Sequence, residues 1–314
     1  MRNNILMISF FLALGVGWRV LAPQGISAGS LQRQLTALAH LAILPIAVFF
    51  IVSKLPMNQA ALKILWYVLA TTAIALAVAW VWLWKSTLPP KTKGALLIAA
   101  GFGSVFFLGL PLNKVMIGDW SMRVAVEYGL VANVLLLFTA GAILSRSFVE
   151  SGGARFKGPM NDVLKDYGAW LKEPLVWAAV AGLIVNLGGV KLPSWFGAIE
   201  TAIYGFLIPL LLLSAALTLN WIDGWKTQWV SVLPVAAIQL VLVPLVMWGM
   251  VSLFGSVGRQ TTQALLMNSM MPAALLRFVA CDRYRLDTGA YGLAFSVTAV
   301  LAIITVPIWF RLLF

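Results

Sequence analysis

One cysteine, one histidine and ten carboxylates in 314 residues leave little with which to build catalytic or metal chemistry. Cys281 has no partner for an internal disulfide, and with His40 as the sole imidazole no Cys/His ligand set of the zinc type exists. No HExxH, no paired aspartates and no Ser/His arrangement stands in the chain, which argues against a membrane-embedded enzyme. The expectation is therefore a non-enzyme with no cofactor and no metal. Charge is scarce as well: 10% of residues are Asp, Glu, Lys or Arg, where a soluble domain carries roughly 25%. With short loops and so little charge, a separate soluble domain is excluded.

What is abundant is apolar surface, 61% of the chain. A membrane-spanning helix needs ~20 mostly apolar residues. Ten such segments can be counted, at about 4–20, 35–53, 64–84, 95–118, 123–144, 174–190, 195–219, 228–253, 261–280 and 288–313. The predicted fold class is an all-α membrane protein of ten transmembrane helices. The formal charge of +12 could point to nucleic acid, but in a polytopic protein basic residues report topology. With both termini outside, the loops left inside carry more Lys and Arg than those outside, most densely from Arg146 to Lys172. This favours an N-terminus and C-terminus outside, with the lipid bilayer and not nucleic acid as the protein's surroundings. Arg2 ahead of an apolar run, with small residues in "ISAGS", allows a signal-peptide reading of the first segment. Arg19 and the polar "QGIS" separate that run from any cleavage site and argue against it.

Landmarks recur between the two halves. Pro45 and Pro209, and Pro111 and Pro272, are each separated by roughly 160 residues, both pairs at matching places in a five-helix set. An odd number of helices per set inverts the second copy, so the expectation is two inverted five-helix repeats. Their bounds are residues 1–145 and 174–314, joined by a basic cytoplasmic linker over 146–173, in one integrated membrane domain. Proline inside a helix costs ~3 kcal/mol or more and frees backbone groups that hydrocarbon cannot satisfy. A kink in a lipid-facing helix is the plain reading of each. Gly101, Gly103 and Gly109 before Pro111, and polar Asn268 and Ser269 before Pro272, instead suggest true breaks in helices 4 and 9. Two broken helices crossing near the midplane would aim half-helix N-termini at a shared cavity.

Charges deep in a membrane are costly and usually functional. Lys114 follows Pro111 and Arg277 follows Pro272, so both cations lie close past a break, where an anion is the natural guest. The alternatives are that Lys114 snorkels outward near Asp119, and that Arg277 pairs with Asp282 or reaches the inner surface. Glu127 and Glu200 are the acids able to carry a coupling proton if buried, and are otherwise interfacial or ion-paired. No cluster of carboxylates and hydroxyls suggests a sodium site.

"GSVFFLGLPLNKVMIGDW" resembles the fourth helix of the auxin efflux carrier family, with its Gly-Leu-Pro-Leu core. "SMMPAALLRFVACDRYRLDTGAYGLAFSVTAVLAIITVPI" resembles that family's ending, "KEPLVWAAVAGLIVNLGGVKLP" its sixth helix, and "ISFFLALGVGWRVLAPQGI" its first. The resemblance spans nearly the whole chain and implies a fold like that of the bile acid symporters, with helices 4 and 9 crossing at their prolines. It also implies an elevator-like motion of a transport unit against a scaffold, and organic anions as cargo. Compact loops and length make the chain look like a bacterial member, which implies the bacterial inner (plasma) membrane as its location. Where the family usually has Asn ahead of the first proline this chain has Ser104, followed by Phe106 and Phe107, and Arg277 stands where relatives commonly have Asn. The first crossing is thus more apolar than the pattern, and the second carries a fixed charge.

The function expected is a secondary transporter, a permease or efflux carrier, moving a small organic anion, in the first place a carboxylate. The substrate-binding residues expected are Ser104, Gly109, Pro111, Asn113, Lys114, Asn268, Ser269, Pro272 and Arg277. A homodimer built on the scaffold would suit such a fold. The alternative is a non-transporting membrane sensor or assembly partner that has kept the fold, suggested by the two Phe residues at the first crossing.

Overall fold

A computed structural model describes residues 27–151, 171–218, 225–274 and 285–313, with Cys281 and a few positions between 10 and 21. Helix α1 runs over Ala28–Ser53 and α2 over Gln59–Lys85; α3 covers Pro90–Gly101, α4 Val105–Met116 and α5 Asp119–Ser145. After the basic linker come α6 (Pro174–Leu187), α7 (Trp195–Leu217), α8 (Ser231–Phe254), α9 (Arg259–Ser269) and α10 (Thr288–Leu313). Side-chain caps start the two longest early helices: Ser27 accepts from the Ser30 amide and Asn58 from the Ala61 amide. Gly118, at φ +130°, makes the tight turn from α4 into α5, and the Ser121 hydroxyl donates back to its carbonyl at 2.6 Å.

Ten spanning helices in two inverted five-helix repeats are not found. Among the described residues six helices, α1, α2, α5, α7, α8 and α10, are long and apolar enough to cross a membrane. The reason is physical: an uninterrupted apolar run is not an uninterrupted helix. The run at 95–118 stops being helical after Gly101 and resumes at Val105 as a helix too short to span. The run at 261–280 loses its helix at Ser269, ahead of Pro272, and residues 275–280 lie outside the described residues. Fourteen residues of α6 reach about 21 Å, short of a ~30 Å hydrocarbon core. The expected first span at 4–20 falls largely outside the described residues, as does most of the linker.

Prolines within the long helices are accommodated by wider turns. π-Helical turns over Ala39–Ile43, Val105–Gly109 and Ile238–Leu242 lie just before Pro45, Pro111 and Pro244. The extra residue in each turn relieves the clash of the ring with the carbonyl behind it. Helices α1, α6 and α7 hold one another directly. The Asn186 amide donates to the Val52 and Leu55 carbonyls at 2.8 and 2.7 Å, and the Thr36 and Ser214 hydroxyls meet at 2.6 Å. Gly182 lets α6 approach α1 so closely that a Cβ there would lie 2.8 Å from the Phe49 carbonyl. Large apolar side chains such as Leu41, Trp66, Trp84, Ile303 and Ile304 are exposed, the pattern expected where lipid and not water is the solvent.

Two apolar cores result. One gathers Leu44, Val48, Val105, Phe106, Phe107, Leu110, Leu207, Leu211, Met270 and Met271. The other gathers Leu76, Leu97, Phe102, Ala273, Tyr291 and Ala294. The segments that carry Phe102–Val105 and Met271–Ala273 pass from one core to the other, so the two breaks lie on the boundary between them.

Candidate functional site

The α3–α4 break exists because Gly101 and Gly103 flank a residue that takes up extended geometry, Phe102, at φ −130° and ψ 112°. At the second break Pro272 lacks an N–H and biases Met271 away from helix. The two extended segments then run antiparallel and satisfy one another. The Ser104 N–H donates to the Pro272 carbonyl at 2.7 Å and the Ala274 N–H to the Phe102 carbonyl at 3.0 Å, pairing Gly103 with Ala273. In a membrane interior each of these groups would otherwise cost several kcal/mol.

Side chains from three neighbouring helices take the remaining backbone groups. Asn133 on α5 donates to the Gly103 carbonyl at 3.0 Å, and Gln239 on α8 to the Met271 carbonyl at 2.9 Å. The Ala273 N–H donates to the Thr298 hydroxyl on α10 at 3.2 Å. Gly103 is required for this closeness, since a Cβ there would stand 2.9 Å from Gln239 Nε2 and 3.2 Å from the Met271 carbonyl oxygen. These three polar residues were not anticipated. Their only signal in the sequence is the scarcity of polar side chains around them: Asn133 in "LVANVLLLF", Gln239 in "AAIQLVLVP", and Thr298 beside Ser296 in "AFSVTAVL".

A second polar contact links α4 to α9. Asn113 Nδ2 donates to the Gly109 carbonyl at 2.7 Å and to Asn268 Oδ1 at 2.9 Å, while Asn268 donates to the Ala264 carbonyl at 2.8 Å. Gly109 makes room: a Cβ there would meet Asn268 Oδ1 at 2.6 Å. Ser269 turns its hydroxyl back onto the Leu266 carbonyl at 2.6 Å. Ser104, Asn113, Asn268 and Gln239 are all buried, yet among the described residues Ser104 Oγ, Asn113 Oδ1 and Gln239 Oε1 find no hydrogen-bond partner. Buried polar atoms of this kind are usually satisfied, so they are sites at which a guest molecule is favoured. Phe106 and Phe107 are buried too, the Phe106 ring resting where a side chain on Gly129 would come within 2.5 Å.

Of the expected site residues, Ser104 and Pro272 lie in the paired segments and Gly109, Asn113, Asn268 and Ser269 at the contact between α4 and α9, while Pro111 sits inside α4, seven residues beyond the first break. Lys114 does not. Its ammonium lies 3.4 Å from Asp119 Oδ1 and over the Tyr204 ring at 5.6 Å, the snorkelling geometry that a short α4 permits. Glu200 pairs with Lys54 and hydrogen-bonds Tyr204, so Lys54, Glu200, Tyr204, Lys114 and Asp119 form one chain of contacts at that end of the helices. Glu127 keeps one buried carboxylate oxygen without a hydrogen-bond partner. Arg277 lies outside the described residues. Among the described residues no group of three or more His, Cys, Asp or Glu side chains is placed to hold a metal.

Because Asp119 is 78% exposed, the Lys114 ion pair contributes less than about 1 kcal/mol. Lys114→Gln is accordingly expected to leave thermal unfolding in detergent nearly unchanged, and to leave ligand-induced stabilisation intact. Loss of ligand stabilisation in that variant would put the lysine back at the site.

Residues 166–310 match the model of the family described as membrane transport protein. Over 220 residues the chain is 26% identical to an uncharacterized transporter of Methanothermobacter thermautotrophicus, covering 70% of this chain and 67% of that one. It is 24% identical over 218 residues to the uncharacterized transporter YfdV of Escherichia coli K12, covering 68% and 65%. The matched stretch thus spans about two thirds of the length of these relatives. The chain is a multi-spanning membrane protein that, over these stretches, is similar to membrane transport proteins.

Proposed function

We propose that the protein is a secondary transporter that moves a small organic anion, a carboxylate, by elevator-type alternating access. The observation that carries this reading is the pair of crossed extended segments with buried, unpartnered polar atoms beside them. Pro111 and Pro272 shape the breaks, and Gly109 admits a close approach. An entering carboxylate accepts from the Ser104 hydroxyl and competes with Asn268 Oδ1 for the Asn113 amide. Hydrogen bonds to a charged acceptor are the stronger kind, contributing on the order of 1.5 to 3 kcal/mol each. In this reading Asn268 and Ser269 complete the polar lining and Arg277 neutralises the carboxylate. Glu127, with its unpartnered buried oxygen, is the better placed carrier of a coupling proton, since Glu200 is occupied by Lys54. Helices α1, α6 and α7, held to one another by their own hydrogen bonds, act as the static part, with both termini outside and a homodimer built on this part.

The test is a thermal-shift screen of the purified protein over mono- and dicarboxylates and hydrophobic acids, followed by flux of the best ligand in proteoliposomes. Asn113→Ala is expected to abolish both the shift and the flux while the protein stays folded. Unchanged uptake in that variant sinks the site. A ligand that stabilises the protein without flux favours the sensor reading, which the apolar filling by Phe106 and Phe107 supports.

A further inference from the structure

Two cavities open at the helix ends where Lys54 and Lys114 lie, away from the crossed segments. The first, about 380 Å³ between α1 and the α6–α7 turn, is lined by Lys54 and Lys191 with one carboxylate, Glu200, which Lys54 pairs. The second, about 510 Å³, lies between the end of α8, the start of α9 and the last residue of α10. Arg259 is the one charged residue that lines it, with no carboxylate opposite, and among the described residues Arg259 forms no ion pair. Lys63 stands close by, since a Cβ on Gly255 would lie 3.6 Å from its ammonium. The hydroxyls of Ser256 and Thr262 face each other at 3.3 Å on the same rim. The opposite wall is apolar, made by Trp248, Val251 and Leu313. Trp248 is 49% exposed, so this wall continues onto the surface that faces lipid.

A cavity with uncompensated positive charge and hydroxyls at one side, and an apolar wall running into the bilayer at the other, matches an amphiphile with an anionic head. A planar guanidinium suits phosphate oxygens in pairs, and a tryptophan at the interface suits the head–tail boundary. Basic residues near a membrane surface attract anionic lipid. We propose that this cleft binds an anionic phospholipid, its phosphate held by Arg259 and Lys63 with the Ser256 and Thr262 hydroxyls, and its acyl chain along Trp248, Val251 and Leu313. The lipid then braces the start of α9, the helix whose far end supplies Asn268 and Ser269 to the crossing.

The full-length protein in detergent is titrated with dioleoyl phosphatidylglycerol, dioleoyl phosphatidylcholine and inorganic phosphate, and followed by thermal unfolding and native mass spectrometry. Phosphatidylglycerol is expected to raise the unfolding temperature by several degrees and to remain as a bound adduct, whereas phosphatidylcholine and phosphate do neither. Arg259→Gln, an exposed change that folding tolerates, should remove both effects, and Trp248→Ala should weaken them. Equal responses to the two lipids overturn the proposal, as does a response undiminished in Arg259→Gln. A shift with phosphate alone assigns the cleft to a free anion and overturns the lipid. Loss of the adduct in Lys54→Gln, with Arg259→Gln unaffected, moves the lipid to the first cavity and overturns the assignment. The readout requires no transport substrate, so it stands or falls separately from the transport reading.

Discussion

Replacing Asn268 with leucine is expected to abolish ligand stabilisation and flux and to lower stability by about 1–3 kcal/mol. Asn113 directs one N–H to the Gly109 carbonyl and the other to Asn268 Oδ1, and both asparagines are buried. Without Oδ1 the second N–H is a donor in an apolar surround with nothing to receive it. The penalty is that of an unmet donor, which exceeds the net worth of an ordinary hydrogen bond. Leucine also branches toward Gly109, where a Cβ would already approach Asn268 Oδ1 at 2.6 Å, so overpacking adds to the loss. Thermal unfolding of Asn113→Ala, Asn268→Ala and the double variant measures the coupling, expected at 0.5–3 kcal/mol in magnitude for residues in direct contact. Additive single effects would mean that the amide pair does not act as a unit.

Gly103→Val is expected to be the most damaging single change at the crossing, costing on the order of 3–5 kcal/mol of the 5–15 kcal/mol that holds a typical fold. The new side chain enters the space between Gln239 Nε2, 2.9 Å from the Cβ position, and the Met271 carbonyl, 3.2 Å away. The carbonyl belongs to the backbone of the second extended segment and cannot rotate aside. Gln239 is then driven off its 2.9 Å hydrogen bond, and the paired segments are prised apart. A control separates clash from general strain. Gly103→Ala should be tolerated better in a Gln239→Ala background than alone, because the smaller side chain vacates the space the methyl needs. Expression and monodispersity by fluorescence-detected size exclusion, with thermal unfolding, read both. Wild-type stability in Gly103→Val would mean that the segments do not pack this closely.

The chemistry of the crossing was legible in the residues themselves. Glycines before Pro111, and Asn268 and Ser269 before Pro272, mark helix breaks because they remove helix propensity or an N–H where lipid forbids an unpaired backbone. Composition was equally direct about the bilayer. Lys114 was the ambiguous residue, for a lysine stem is long enough to leave the level of its own Cα. Its partners, Asp119 and Tyr204, come from another segment and another helix, and only their positions show which way the ammonium turns.

Helix number was beyond the reach of hydropathy, which reports how apolar a run is and not whether its hydrogen bonds are continuous. Counting runs gave ten spans, while chain breaks at Phe102–Ser104 and past Ser269, and the shortness of α6, leave six long ones among the described residues. Gln239, Asn133 and Thr298 are each among the few polar residues of an apolar helix, and nothing in the sequence marks them out from the others. Tertiary packing alone brings each against a backbone group freed at the breaks. By itself the sequence determined that this chain lives in a membrane and where its helices break, because those are local consequences of apolar length, glycine and proline. Which groups heal the breaks, and which charges stay away from them, was decided only by the tertiary structure, because those partners lie on helices far apart in the chain and are selected by burial without water.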